Sequence, residues 1–108
     1  MKLQHRHGGK ITAITAVAHE TYKGVASWHF IGDVEWSDGS KSVAKPIEPF
    51  LLVCNAHDPE AKAECDALMA KMTDYLGRVG EWHEQRKAPG GRMTSWTPRQ
   101  KKGSEVLA

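Results

Sequence analysis

The chain has 108 residues, of which 40% are hydrophobic and 26% are charged. That length suits one domain and is too short for two cores of ordinary size, and the composition excludes disordered and collagen-like classes. No stretch approaches the roughly 20 consecutive apolar residues that cross a bilayer, and no apolar run follows the polar start at 1–9, so we expect neither a membrane span nor an export signal.

The net charge of +2 conceals an uneven distribution. Residues 1–85 carry nine Lys/Arg against twelve Asp/Glu, a net of −3, whereas residues 86–108 carry six against one, a net of +5. A mildly acidic body with a basic tail differs from a uniformly basic nucleic-acid binder. The two cysteines are too few for a disulfide scaffold, so the predicted location is a reducing cytoplasm.

The first half of the chain is predicted to be mostly β. Residues 1–9 are interpreted as a flexible leader, and residues 10–20, rich in β-branched side chains, as a strand. Its alternation is imperfect because Ile11 and Ile14 are both apolar, which either a bulge or burial on both faces would explain. A turn is predicted at 21–24.

Residues 25–36 give the clearest pattern, since the even positions are mostly apolar and the odd ones mostly polar. This period of two predicts a half-buried strand. The Asp38-Gly39 pair that follows is typical of a two-residue hairpin, so residues 41–45 should pair back onto the strand.

Prolines then interrupt the pattern. Because Pro46 and Pro49 cannot donate a backbone hydrogen bond, this region is predicted to be an edge, a bend or a crossing. Residues 50–54 are predicted to form a short buried strand.

A helix is predicted to start at Asp58-Pro59-Glu60, where Asp58 is a suitable N-cap and Pro59 a suitable first residue. Apolar residues follow in steps of three and four, predicting one buried stripe, namely Ala61, Cys65, Leu68, Met72, Tyr75 or Leu76, and Val79. The pattern allows two positions for the end of the helix. It ends near Gly80, or it continues, bent, through Trp82 to about Arg86.

The predicted fold is therefore α+β, an antiparallel meander of three to four strands with one long C-terminal helix packed on one face. The domain should span residues 10–86. Residues 87–108 are predicted to be a disordered or extended basic tail with Trp96 as its only large anchor.

The basic tail is the first candidate site. Its cations could neutralise phosphates while Trp96 stacks on a base, although a solvated terminus is the commoner meaning of such a tail. The predicted nucleic-acid-binding residues are Arg86, Lys87, Arg92, Trp96, Arg99, Lys101 and Lys102.

A metal centre and a catalytic site are both disfavoured. Cys54, His57 and Cys65 have suitable donor atoms, but their spacing matches no four-ligand zinc set, and Cys65 falls on the apolar stripe, so no metal is predicted. Four residues that could include a general base lie on or near one hairpin, namely His29, Asp33, Glu35 and Asp38. A solvent-facing strand explains them better, and no catalytic motif accompanies them. We therefore predict no enzyme and no cofactor.

The last candidate is a surface for a protein partner. Four tryptophans are many for this length, and Trp is enriched where interfaces carry their binding energy. Trp82 lies at or past the helix end and Trp96 in a tail that cannot bury it alone, so both are predicted to contact a partner or a second copy of the chain. The alternative is that Trp82 folds back over the core and Trp96 stays exposed. His29 and Glu35, on the polar sheet face, are the other predicted partner contacts. A homodimer through the edge strand at 41–45 is the alternative to a monomer.

The leading hypothesis is a non-catalytic binding protein that occupies a surface of another protein. Compact α+β chains of this size without an active-site motif are common among phage and plasmid accessory proteins, including anti-CRISPR inhibitors, which is an association of size and not of motif. The alternative is a module that grips RNA or DNA through its tail.

Overall fold

The computed structural model describes residues 1–87 and 91–107, with side chains described at 1–83 and 95–107. The strands are β1 (Gln4–His5), β2 (Gly9–Tyr22), β3 (Val25–Trp36), β4 (Lys41–Ile47), β5 (Leu52–Val53), β6 (Gly80–Lys87), β7 (Gly91–Pro98) and β8 (Lys102–Val106). The helix α1 spans Pro59–Val79, and a 3₁₀ turn spans Pro49–Leu51. No helix within these ranges is both long enough and apolar enough to cross a membrane.

Six of the described strands form one antiparallel sheet in the order β4-β3-β2-β1-β5, with β8 also paired to β2. Strands β1 and β8 share one edge of β2, β1 near its start and β8 along Ala16–Glu20. Strands β6 and β7 form a separate hairpin. The α+β class, the antiparallel sheet and the single helix are as predicted, but the strands are more numerous than the three to four expected.

The two long strands follow from local sequence. The register of β2 against β3 shifts between Ile11 and Ala13 and again between Ile14 and Ala16, so bulges explain the imperfect alternation of β2. Lys23 and Gly24 both have positive φ, 50° and 77°, as a tight two-residue hairpin between right-twisted strands requires.

The hairpin between β3 and β4 corrects the predicted two-residue loop. Trp36 N donates to Ser40 O at 2.8 Å and Gly39 N donates to Trp36 O at 3.0 Å, so three residues lie between the paired positions. Gly39 takes the left-handed conformation, with φ of 89°, that closes such a three-residue loop.

The start of α1 is as predicted, and its end is resolved at Val79. Asp58 Oδ1 accepts from Glu60 N at 3.0 Å and from Ala61 N at 3.4 Å, which satisfies two N–H groups that have no partner within the helix. The chain leaves the helix at Gly80 in an extended conformation and enters β6.

The core lies between α1 and one face of the sheet. Residues predicted as a leader contribute to it, since Leu3 is 1% exposed and His5 4% exposed in or beside β1. Residues predicted as the tail contribute Trp96 to the core and strand β8 to the sheet. The strand predicted at 50–54 shortens to Leu52–Val53, with Phe50 exposed in the 3₁₀ turn. The buried helix residues are Ala61, Leu68, Met72, Tyr75 and Leu76.

Candidate partner-binding surfaces

The face of the main sheet that points away from α1 is called the outer face below. Val17 and Phe30, paired in register, are both 0% exposed on the core side, so their neighbours in sequence belong to the outer face. Ala16 and Ala18 form a floor of small side chains there. Val106, 78% exposed, lies beside this floor opposite Ala16. Tyr22 and Val25, 70% and 68% exposed, form a separate apolar pair at the end of the β2–β3 hairpin.

Strand β8 has a free edge next to this face. Thr21 N donates to Lys101 O at 2.6 Å, and Leu107 N donates to Thr15 O at 2.9 Å. Because hydrogen-bonded and non-hydrogen-bonded pairs alternate in an antiparallel ladder, the backbone N–H and C=O of Lys102, Ser104 and Val106 point away from β2. No strand in the part of the chain that the structure describes pairs with this edge.

The opposite edge of the sheet, β4, is poorly suited to pairing. Pro46 lacks an N–H, Ala44 has a positive φ of 53°, and the register against β3 shifts between Gly32 and Val34. Such irregularities block the addition of another strand. The predicted homodimer edge at 41–45 is therefore the less suitable of the two.

His29 and Glu35, predicted as partner contacts, both belong to the outer face of β3. His29 is half-buried opposite Ala18, and Glu35 is exposed opposite Lys10. The two lie six positions apart on one strand, so a single partner of ordinary size could contact both.

The two tryptophans predicted as partner contacts have different environments. Trp82 is 47% exposed, with its ring centroid 5.9 Å from that of Trp28. Trp96 is 6% exposed, and its Nε1 donates to Leu76 O at 2.9 Å. The expectation that the C-terminal segment cannot bury Trp96 without a partner is therefore corrected, since this side chain completes the core of its own chain.

A buried polar network holds the segment that leads into β8. His19, 3% exposed, lies 2.6 Å from the Tyr75 hydroxyl through Nδ1 and 3.1 Å from Gln100 O through Nε2. Since the carbonyl can only accept, Nε2 carries the proton, and Nδ1 accepts from the hydroxyl in the neutral ring. Burial, with a smaller contribution from Glu105, raises the pKa of Tyr75 and keeps its hydroxyl a donor.

Ion pairs on the surface join β8 to the helix. Arg78 donates to both carboxylate oxygens of Glu105, at 2.6 and 2.9 Å, and to Asp74 at 3.0 Å. These bonds raise the pKa of Arg78 and fix the guanidinium beside β8.

The predicted nucleic-acid-binding residues are divided between two places. Arg86 pairs with Arg92, and Lys87 with Gly91, in the register of the β6–β7 hairpin. Trp96 lies further along β7, Arg99 and Lys101 lie between β7 and β8, and Lys102 begins β8. Arg99 Nη1 donates to Arg78 O at 2.6 Å, which caps the helix C-terminus, while Lys101 and Lys102 are exposed.

Cys54 and Cys65 are unpaired and half-buried, and both pack against the core. Burial, followed by the neighbouring Cys54 thiol, raises the pKa of Cys65, which disfavours the thiolate that binds metals. His57 is exposed in the turn before α1. Among the residues with described side chains, no group of three or more His, Cys, Asp or Glu could hold a metal ion.

Two carboxylates of the β3–β4 hairpin have structural partners. Asp33 Oδ1 accepts from Ala44 N at 3.0 Å, and Asp38 Oδ1 accepts from Ser40 N and Oγ at 2.9 and 2.6 Å. The Ser40 bonds lower the pKa of Asp38. Both groups stabilise the backbone of a bend, which is a structural role for residues considered as general bases.

Comparison with family models, curated proteins and solved structures finds no match to this chain. The surfaces therefore have to be interpreted from their own chemistry.

A pocket of about 480 Å³ lies beside β1 and the end of β3, lined by Gln4, His5, Gly8, Gly9, Lys10, Glu35, Trp36 and Ser37. His5 Nδ1 accepts from His7 N at 3.1 Å, while its buried Nε2 has no described hydrogen-bond partner. Burial lowers the pKa of His5, so the ring favours the neutral form.

Sequence reasoning missed Ser104, Val106, Tyr22 and Val25 as surface residues of interest. The alternation that identified β3 would have placed Val25 on the same face as His29. No comparable signal marks β8, because Lys102–Val106 contains one large apolar residue and its partner strand lies more than 80 positions away.

Proposed function

We propose that this chain is a non-catalytic binding protein that takes up a strand or extended segment of a protein partner along the free edge of β8. The unpaired backbone groups of Lys102, Ser104 and Val106 carry this proposal. An added strand would satisfy those groups, and main-chain bonds of this kind give affinity without a preformed pocket.

The outer face would supply the specificity. Side chains of an added strand alternate, so those on the outer side would meet Val106 next to the Ala16 and Ala18 floor. Tyr22 and Val25 form a separate exposed apolar pair at the end of the β2–β3 hairpin, with Glu20 and Lys102 between that pair and Val106. A partner segment that runs along β8 as far as the hairpin would meet both places.

Strand addition would be sufficient for an inhibitor that acts by covering a partner's surface, as in phage and plasmid accessory proteins, because such an inhibitor needs no catalytic group. We also propose a cytoplasmic setting, which the unpaired thiols of Cys54 and Cys65 support.

The test compares Ser104→Pro with Ser104→Ala in quantitative capture from extract of the source cell. Proline removes an N–H that points away from β2, so it should block strand addition while leaving the β2–β8 ladder intact. We expect Ser104→Pro to lose the specific partner and Ser104→Ala to retain it, with both variants folded by circular dichroism.

A second pair of variants keeps the test decisive if Ser104→Pro does not fold. Val106→Glu places a charge on the outer face, and Val43→Glu places one on β4, where Val43 is 79% exposed. Loss of the partner in the first and retention in the second supports the proposal. Equal capture by all variants would contradict it, whereas a wild-type dimer that Ser104→Pro converts to monomer identifies the partner as a second copy.

A further inference from the structure

The end of the β2–β3 hairpin and the segment that enters β8 enclose a small pocket of about 220 Å³, with an open mouth. This pocket is called the hairpin-end pocket below. It is lined by Thr21, Gly24, Ala26, Trp96, Thr97, Pro98, Arg99, Gln100 and Lys101. Its size suits a phosphate group better than a whole nucleotide.

A buried hydroxyl in the lining has no described partner. Thr21 N is bonded to Lys101 O at 2.6 Å, but Thr21 Oγ1, although shielded from solvent, makes no hydrogen bond. A buried polar group without a partner lowers stability unless something else binds it. No water-sized atom reaches this oxygen in the free protein, so the hydroxyl could donate to a ligand oxygen only after the Thr21 side chain turns toward the pocket that it lines.

Two cations, Lys101 and Arg99, line the pocket. Two more lysines lie at the same end of the sheet but on its outer face, Lys102 opposite Glu20 in the register of β2 and β8, and Lys23 with its Nζ 5.4 Å from the centre of the Tyr22 ring. All three lysines are exposed. Two acids lie close in register, Glu20 opposite Lys102 and Glu81 opposite Thr97, so the cations outnumber the acids at this end.

An aromatic surface continues from the pocket. Trp96 forms part of the lining, and the half-exposed Trp82 lies 6.5 Å from it and 5.9 Å from Trp28 between ring centroids. An exposed indole beside lysines is the combination that holds single-stranded nucleic acid, by stacking of a base and neutralisation of the phosphates.

We propose that the hairpin-end pocket binds a backbone phosphate of single-stranded nucleic acid, with an adjacent base stacked on Trp82. Lys101 neutralises the phosphate in the pocket, and Lys102 and Lys23 attract the neighbouring phosphates from the outer side of the sheet edge. Thr21 Oγ1, once turned toward the pocket, donates to a phosphate oxygen. An acidic peptide would match the lysines but would make no use of the exposed indole, so nucleic acid is favoured.

The experiment measures fluorescence anisotropy of labelled oligothymidylate and oligouridylate of about 15 nucleotides, a length that spans one binding site of this kind. The triple variant Lys23→Gln, Lys101→Gln, Lys102→Gln is compared with a matched control, Lys10→Gln, Lys41→Gln, Lys71→Gln, which removes three exposed lysines elsewhere. We expect the first to weaken binding more than 10-fold and to reduce the salt slope by about 2, and the control to stay within about twofold of wild type.

Thr21→Val gives the sharpest separation of binding from folding. Removing an unpartnered buried hydroxyl should leave the melting temperature of the free protein unchanged or higher, yet it should weaken oligonucleotide binding several-fold. Trp82→Ala should weaken binding as well.

Three results would overturn the proposal: no binding by wild type at low salt, equal weakening by the two lysine triples, or equal affinity for polyglutamate and oligonucleotide. Tighter binding of duplex than of either single strand would also contradict it, because stacking on Trp82 requires an unpaired base. Ser104→Pro should bind oligonucleotide as wild type does, so failure here and failure of strand addition at β8 remain distinguishable.

Discussion

Over much of its core side the main sheet presents apolar side chains, whereas at the end of α1 it presents a hydrogen-bonded network. Ile11, Phe30 and Ile47 are 0% exposed in the first region. In the second, His19 is bonded to Tyr75 and to the backbone of Gln100.

The two regions differ in what they require of the sequence. Apolar burial is non-directional, so the first region needs only an alternating strand and an amphipathic helix that meet. Hydrogen bonds are directional, so the second region needs a specific backbone carbonyl brought from 81 positions away. We therefore expect the second region to depend on the C-terminal segment and the first to depend on side-chain volume.

The largest expected effect comes from a chain that stops after Lys87. It loses Trp96 from the core, the Gln100 carbonyl from His19 and β8 from the sheet. These losses should exceed the whole stability of a small domain, which is roughly 5–15 kcal/mol, so the shortened chain should show no cooperative unfolding in circular dichroism. A cooperative melt at the temperature of the full chain would show that the second region does not depend on this segment.

Single substitutions at Phe30 and Trp96 compare the two regions, because each removes one buried aromatic side chain. Phe30→Ala and Trp96→Ala each empty a buried aromatic site, and each should reduce the free energy of unfolding by about 3–5 kcal/mol in denaturant titrations.

Conservative variants at the same positions should then differ. Trp96→Phe also leaves Leu76 O without its donor, which adds about 1–3 kcal/mol to the loss of volume, whereas Phe30→Leu breaks no hydrogen bond. Equal effects of Trp96→Phe and Phe30→Leu would mean that the hydrogen bond contributes nothing.

The same contrast explains which parts of the fold could be predicted. The strand Val25–Trp36 and the helix cap at Asp58 are marked by patterns within a few residues, and both are present. The position of Trp96 depends on its hydrogen bond to a helix carbonyl 20 positions away. The position of β8 depends on its pairing with β2, which the residues of β8 do not themselves indicate.

For the candidate surfaces the division is similar. Alternation placed His29 and Glu35 on one sheet face, but the free edge of β8 follows only from the register of β2.

A pair of glycine substitutions sharpens the comparison further. A Cβ at Gly103 would lie 2.9 Å from His19 Cε1, and His19 cannot move without breaking one of its two hydrogen bonds. Gly103→Ala should therefore reduce the free energy of unfolding by roughly 1–3 kcal/mol. A Cβ at Gly77 would meet nothing within 4 Å on the exposed side of α1, so Gly77→Ala should add roughly 1 kcal/mol.

Both glycine variants are measured by the shift of the denaturant midpoint at constant slope. If Gly103→Ala is as stable as wild type, His19 or β8 can move to make room for the Cβ without loss of the two His19 hydrogen bonds. If Gly77→Ala is destabilising, the backbone at residue 77 needs the conformational freedom of glycine even though there is space for a Cβ.

The smallest expected effect is a pH dependence of the free energy of unfolding that arises from His5. This residue is buried in β1, away from the His19 network. Burial is the first cause that lowers the pKa of His5 below its ordinary 6.5, followed by the nearby charges of His7 and Lys45, while Glu48 opposes the shift. The unfolded chain therefore binds a proton at His5 more readily than the folded chain does. The stability associated with neutral His5 is fully present above about pH 6.5 and declines as the pH falls toward the lower, folded-state pKa.

Protonation would also remove the acceptor that His7 N uses, because Nδ1 would then carry a hydrogen. His5→Asn keeps an acceptor oxygen near that position and does not titrate in this range. Denaturant titrations of both proteins between pH 7.5 and 5, taken as a difference, cancel the histidines that they share. We expect wild type to lose more stability than His5→Asn as the pH falls, and parallel curves would mean that His5 is protonated as easily in the fold as in the unfolded chain.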